Sequence, residues 1–186
     1  ISSFTKNLPP SHLLSDAQNK LWLDLIASNA QAIIASSNAE RIIHILHVDD
    51  DPVFLQAVGK VLGANREFDL VSVGSVSEAL SKLSFSKFDV ILSDYQMPQK
   101  TGLDFLTELR SSGVLTPFIL VSEKDRAETI AKALNMGVFR YIEKQPDTQK
   151  LSAQLFEAIK QAHTQSQTEH QLQNAELLKQ IYENNS

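Results

Sequence analysis

Asp94 stands just beyond an apolar stretch, residues 88–92, whose only polar member is Asp89. A run of that length suits a strand buried on both faces and is too short for a helix core. A carboxylate at the end of such a strand, followed by Tyr95, Gln96, Met97 and Pro98, is an odd choice for a plain turn, and Pro98 restrains Met97 to extended geometry. Asp94 is therefore read as a nucleophilic carboxylate, exposed at the mouth of a sheet. Asp49 and Asp50 follow a second run, residues 42–48; Ser122 ends a third, residues 116–122; Lys144 follows a fourth, residues 139–143. Three carboxylates at one mouth repel and raise each other's pKa. A hard divalent cation relieves this, and Mg²⁺ takes one or two carboxylates plus waters and phosphate oxygens. Metal, nucleophile, hydroxyl and ammonium are the parts that stabilise an in-line phosphoryl transfer onto Asp94.

Alternating elements bring these groups together. Strands are expected at 42–48, 68–73, 88–93, 116–122 and 139–143. Between them apolar residues recur at helical spacing. Val53, Phe54, Ala57, Val58, Val61 and Leu62 mark one helix, closing near Gly63. Ser77 is read as the cap of a second, carrying Ala79, Leu80 and Leu83. Gly102 opens a third, to about residue 110. A fourth spans about 126–136, with Ile130, Ala133 and Leu134 inward, and stops at Gly137. Leu151, Leu155, Phe156, Ile159 and Ala162 mark the last. Five alternations imply an α/β fold: a doubly wound, five-stranded parallel sheet with helices on both faces. The usual strand order is then 2-1-3-4-5, with ligands at the carboxyl ends of the strands. In that order the strands ending in Asp49-Asp50 and Asp94 are neighbours about 4.8 Å apart. Ser122 and Lys144 end the next two.

Two appendages flank this unit. Residues 1–40 hold an N-terminal helix from 15 to about 36, with Leu21, Trp22, Leu25, Ile26, Ile33 and Ile34 along one greasy face. It packs on its own domain or forms a dimer seam through Trp22. Residues 163–186 are polar as far as Gln171, then place Leu172, Ala175, Leu178 and Tyr182 at helical spacing, so the last helix is expected to continue as a long tail. The net charge of -5 argues against a general nucleic-acid surface. The absence of cysteine excludes thiolate catalysis and disulfides. No apolar run approaches the roughly 18 residues of a membrane span. Residues 1–20 lack the charged and apolar regions of a secretion signal. The expectation is a cytoplasmic protein without membrane contact.

The motifs HVDDDP at 47–52, ILSDYQMPQKTG at 91–102, ILVS at 119–122 and YIEK at 141–144 together resemble the receiver domain of two-component response regulators. Their order and spacing match that family over about residues 41–162. The resemblance implies the flavodoxin-like fold, a phosphoacceptor at Asp94, and a histidine kinase or phosphotransfer protein as donor. It implies Mg²⁺ held by Asp50, Asp94 and the backbone carbonyl of Gln96, with Asp49 helping through water. Ser122 would move toward the phosphoryl group, Lys144 would pair with it, and Tyr141 would be the aromatic that changes rotamer on activation. The usual output face is helix 4, strand 5 and helix 5. It also implies a signalling module rather than an enzyme, with a homodimer through the flanking helices as a further expectation.

Two positions depart from the family pattern. Glu123 follows Ser122 where a small residue is usual, which predicts slower phosphorylation and dephosphorylation than in an Ala or Gly variant. Gln145 separates Lys144 from Pro146, where proline usually follows directly. Each site residue alone has a blander reading: Asp49 and Asp50 as surface charge, Ser122 as a loop hydroxyl, Lys144 as a solvated lysine, Tyr141 as an edge-strand packing residue. Asp51 before Pro52 is better read as a helix N-cap than as a metal ligand. Joint placement at the strand ends favours the chemical reading. The alternative function is a degenerate receiver acting as a phosphorylation-independent scaffold. A hydrolase with an aspartyl-phosphate intermediate is disfavoured, because that class wants an acid two residues after the nucleophile, where this chain has Gln96.

Overall fold

The computed structural model describes residue 20, residues 42–123 and residues 127–184. Apart from Lys20, the helix expected from 15 to about 36 lies outside the described residues, and so does the Trp22 seam. The chain divides into two compact units. One is Ile42–Ser166; the other joins Ile1–Arg41 with Gln167–Ser186, and its described residues are helical.

In chain order the elements are β1 (Ile43–Val48), α1 (Pro52–Gly63), β2 (Phe68–Val73), α2 (Val76–Phe85), β3 (Val90–Asp94), α3 (Gly102–Ser111), β4 (Phe118–Ser122), α4 (Ala127–Asn135), β5 (Arg140–Glu143) and α5 (Thr148–Asn184). The strands form one parallel sheet in the order β2-β1-β3-β4-β5, as expected. Alternation along each strand divides the core into two layers. On one face Ile45, Leu92 and Ile119 pack with Val58 and Leu62 of α1 and Leu155 and Ile159 of α5. On the other, Leu46, Ile91 and Leu120 pack with Ala79 of α2, Leu103, Leu106 and Leu109 of α3, and Ala133 of α4. Burying one Leu or Ile stabilises by about 1.5–3 kcal/mol. Helix propensities among ordinary residues differ by at most about 0.7 kcal/mol, so burial, not propensity, decides which stretches become elements. All five residues of β3 and of β4 are buried, in accord with apolar runs that lack alternation.

Three local expectations are corrected. The N-cap of α2 is Ser75, not Ser77. Its Oγ accepts from the Glu78 N–H at 3.2 Å, and the Glu78 carboxylate accepts from the Gly74 N–H at 3.3 Å. Leu134 is 51% exposed, and the inward face of α4 rests on Ala133. Asp94 is the last residue of β3 and only 5% exposed, where an open position had been expected.

Candidate functional site

The sheet register assembles the site. Val48 pairs with Ser93, so Asp49 and Asp94 come next on adjacent strands. Asp94 pairs with Val121, and Ser122 pairs with Glu143. The Lys144 N–H donates to the Ser122 carbonyl at 2.6 Å, carrying the ladder to the lysine. Lys144 then reaches back across the strand ends. Its Nζ lies 2.7 Å from Asp49 Oδ2 and 2.7 Å from Asp94 Oδ1. Asp49 is fully buried, and the Lys144 side chain is 18% exposed.

The loops hold this arrangement in place. Asp49 Oδ1 accepts from the Asp51 N–H at 2.9 Å. Asp51 is the N-cap of α1, accepting from the Val53 N–H at 2.9 Å, with Pro52 in the first turn. Asp50, between them, is exposed. Beyond Asp94 the chain turns through Gln99, whose φ is 72°, and returns to Gly102, whose N–H donates to the Tyr95 carbonyl at 2.9 Å. A Cβ on Gly102 would collide with the Asp94 carbonyl oxygen and sit 2.8 Å from Leu120 Cδ1. Only glycine lets α3 start this close to the back of Asp94. Thr101 and Asp104 close a capping box on the same helix end.

Burial raises the pKa of both Asp49 and Asp94, and the hydrogen bonds from Lys144 hold that rise in check. Burial also opposes the charge on Lys144, but the two carboxylates outweigh it and hold the ammonium above its ordinary range. Removing the lysine would therefore leave two desolvated carboxylates repelling each other at adjacent strand ends.

Ser122 is buried at the end of β4. The Tyr141 hydroxyl, from β5, donates to the Glu123 carbonyl at 2.8 Å. The sheet thus brings together Asp49, Asp94, Ser122 and Lys144, with Tyr141 tied to the residue after Ser122. Gln96 is exposed, and its backbone N–H hydrogen-bonds Asp94. Among the described residues, no three His, Cys, Asp or Glu side chains are gathered closely enough to hold a metal ion. The nearest donor set is the buried pair Asp49 and Asp94, with exposed Asp50 next in sequence. Two carboxylates with waters completing the shell fit a hard divalent cation.

Two residues at the site were missed in the sequence. His47 is 1% exposed, and its Nδ1 has no hydrogen-bond partner. Its ring meets Phe54 edge to face at 5.9 Å and 64°. The Phe54 centroid lies 4.3 Å from Lys144 Nζ. Burial, reinforced by the Lys144 charge, lowers the His47 pKa to about 4, so the imidazole is neutral at neutral pH. The available signal was alternation: β1 carries two histidines, His44 on the exposed side and His47 next to the buried end that leads into Asp49.

Comparison with known proteins agrees with this geometry. The family model described as the response regulator receiver domain matches residues 45–156. The transcriptional regulatory protein MalR of Bacillus subtilis is 34% identical over 101 residues, covering 54% of this chain and 43% of that protein. The transcriptional regulatory protein GlrR of Escherichia coli is 28% identical over 119 residues, covering 64% of this chain and 27% of that protein. The chain thus spans under half the length of these two curated relatives. Among solved structures, the signal receiver domain of an HD domain-containing protein from Pseudomonas fluorescens aligns with a TM-score of 0.59 at 30% identity, covering 67% of this chain and 99% of that one.

Proposed function

This chain belongs to the family of response regulator receiver domains, and from that premise we propose that it accepts a phosphoryl group on Asp94 and changes conformation in response. The donor is a histidine kinase or a phosphotransfer protein. The observation that supports this best is the Lys144 ammonium, 2.7 Å from both Asp49 and Asp94 at the carboxyl ends of adjacent strands.

An Asp94 oxygen attacks the phosphorus of a phosphohistidine. The new O–P bond forms as the N–P bond breaks, and the departing imidazole nitrogen takes its proton from solvent. Asp94 attacks only when ionised; burial raises its pKa, and the hydrogen bond from Lys144 opposes that rise. As the aspartyl phosphate forms, Lys144 turns its N–H donors from Asp94 to a phosphoryl oxygen. The Ser122 hydroxyl donates to another. When bound by Asp49, Asp50, Asp94 and the Gln96 carbonyl, Mg²⁺ supplies the positive charge that the phosphoryl oxygens require. Ser122 and Glu123 adjoin, so a shift at Ser122 changes the carbonyl that Tyr141 holds, and Tyr141 carries the change to the α4-β5-α5 face.

The module occupies residues 41–162, and the flanking segments at 1–40 and 163–186 serve pairing with a second copy or transmission of the signal. A net charge of -5 and the lack, among the described residues, of any helix long and apolar enough to cross a membrane fit a cytoplasmic module that binds neither nucleic acid nor lipid by itself.

The scaffold reading draws on Glu123, the residue after Ser122, and on a lysine already pairing both buried carboxylates. The decisive test is intact mass after incubation with acetyl phosphate and Mg²⁺, on wild type and Asp94→Asn. One phosphoryl adduct on wild type alone is expected. Folded wild type that takes up none would overturn the phosphoacceptor and leave the scaffold.

A further inference from the structure

Lys144 has three donor hydrogens and two carboxylate partners. Its nitrogen also faces the ring of Phe54, the third residue of α1, with the centroid 4.3 Å away. That is well inside the range of about 6 Å over which an aromatic face attracts an ammonium. We propose that Phe54 is a positioning residue for Lys144: its ring seats the ammonium beside Asp49 and Asp94, and His47 braces the ring edge to face. The inference rests on the function proposed above, since it deepens the role given to Lys144.

The physical case has three parts. A lysine side chain loses much rotamer freedom when held in one place, and Lys144 is held across three strands of the sheet. A ring that contacts the ammonium without directional hydrogen bonds offsets part of that loss. The ring is itself fixed, because Phe54 packs against the core layer under α1 and meets His47 edge to face. His47 supports the same reading. An imidazole buried with Nδ1 unbonded costs stability, and the visible return is its contact with the Phe54 ring. The choice of a ring also suits the chemistry. When Asp94 becomes an acyl phosphate, Lys144 must re-aim from a carboxylate to a phosphoryl oxygen. A cation–π contact tolerates that small rotation, whereas a third directional hydrogen bond would have to break.

The experiment compares wild type, Phe54→Leu and Phe54→Tyr, with Lys144 assigned through Lys144→Arg. In unphosphorylated protein labelled with ¹³C-lysine, the Lys144 Cε–Hε signal is read for the upfield displacement of a group lying over a ring. Displacement is expected in wild type and Phe54→Tyr and its loss in Phe54→Leu. Phosphorylation by acetyl phosphate should slow about 3–10-fold in Phe54→Leu and return to within about 2-fold of wild type in Phe54→Tyr. Thermal melting of each variant separates this from loss of fold, and Phe54→Met replaces Phe54→Leu if the latter does not fold. A displacement that is absent from wild type, or survives in Phe54→Leu, overturns the proposal. So does equal slowing of the Leu and Tyr variants. A displaced signal in a wild type that takes up no phosphoryl group would instead leave the seat standing and sink the phosphoacceptor.

Discussion

At the scale of single residues, the site is a balance between burial and pairing. Lys144→Met would leave Asp49 and Asp94 desolvated and facing each other, driving their pKa values further above the ordinary 3.8. A carboxyl whose folded pKa is raised favours the fold at acid pH, and that advantage is lost as pH rises through the folded value. The variant should therefore be less stable than wild type at pH 7.5, with the gap narrowing at pH 5, as read from urea midpoints. His47 works in the opposite sense. It protonates near 6.5 when unfolded but only at about 4 when folded, so its contribution falls away as pH drops through that window. The difference of 2.5 units corresponds to at most ~3 kcal/mol. His47→Leu should remove this slope, so that the variant's stability relative to wild type is higher at pH 5 than at pH 7.5, and urea melts at both pH values would show it. Glu123→Ala should speed both the gain and the loss of the phosphoryl group, and equal rates would dismiss the notion that this side chain obstructs the donor. The acidic and basic partners were legible because they stand at the ends of apolar runs. Their mutual burial was not, since Asp94 is covered by a lysine that lies 50 positions away in the chain.

At the scale of elements, α3 is the part that holds the back of Asp94. Gly102→Ala places a methyl group against the Asp94 carbonyl and Leu120. The expected loss is about 1–3 kcal/mol, together with slower phosphorylation, because relief of the collision moves either the helix or the nucleophile. Thr101→Ala removes only the cap, worth about 1 kcal/mol, and should leave the phosphorylation rate unchanged. Melting curves and acetyl phosphate kinetics on the two variants distinguish support of Asp94 from support of the helix alone. The strands were legible from their apolar runs to within one or two residues. Helix faces were less so. Ile130, Ala133 and Leu134 satisfy one helical spacing, yet that spacing does not say where the centre of the buried stripe falls, and Leu134 lies outside it. The cap of α2 was readable, since Ser75 and Glu78 stand three residues apart in the capping-box spacing, although Ser77 lies nearer the apolar stripe.

At the scale of the whole molecule, alternation and right-handed crossovers left few topologies, and 2-1-3-4-5 is the common one among five-stranded doubly wound sheets. The order then places β1, β3, β4 and β5 so that their ends converge, and nothing in the local sequence states this. His47 and Phe54 show the limit. They belong to successive elements and meet only because β1 and α1 pack on the same side of the sheet.

The depth of the Lys144 bridge has a consequence for how the protein senses its ionic surroundings. Charges in water are screened over about 8 Å at physiological salt, and buried pairs much less. Asp49, Asp94 and Lys144 are largely shut away from solvent, whereas the net charge of -5 is a property of the molecule as a whole. Added salt should thus leave autophosphorylation from a small donor almost unchanged at fixed Mg²⁺. The rate with a protein donor should change, because the encounter of two charged surfaces is what the ions shield. Ionic strength becomes a dial that separates meeting the partner from performing the transfer.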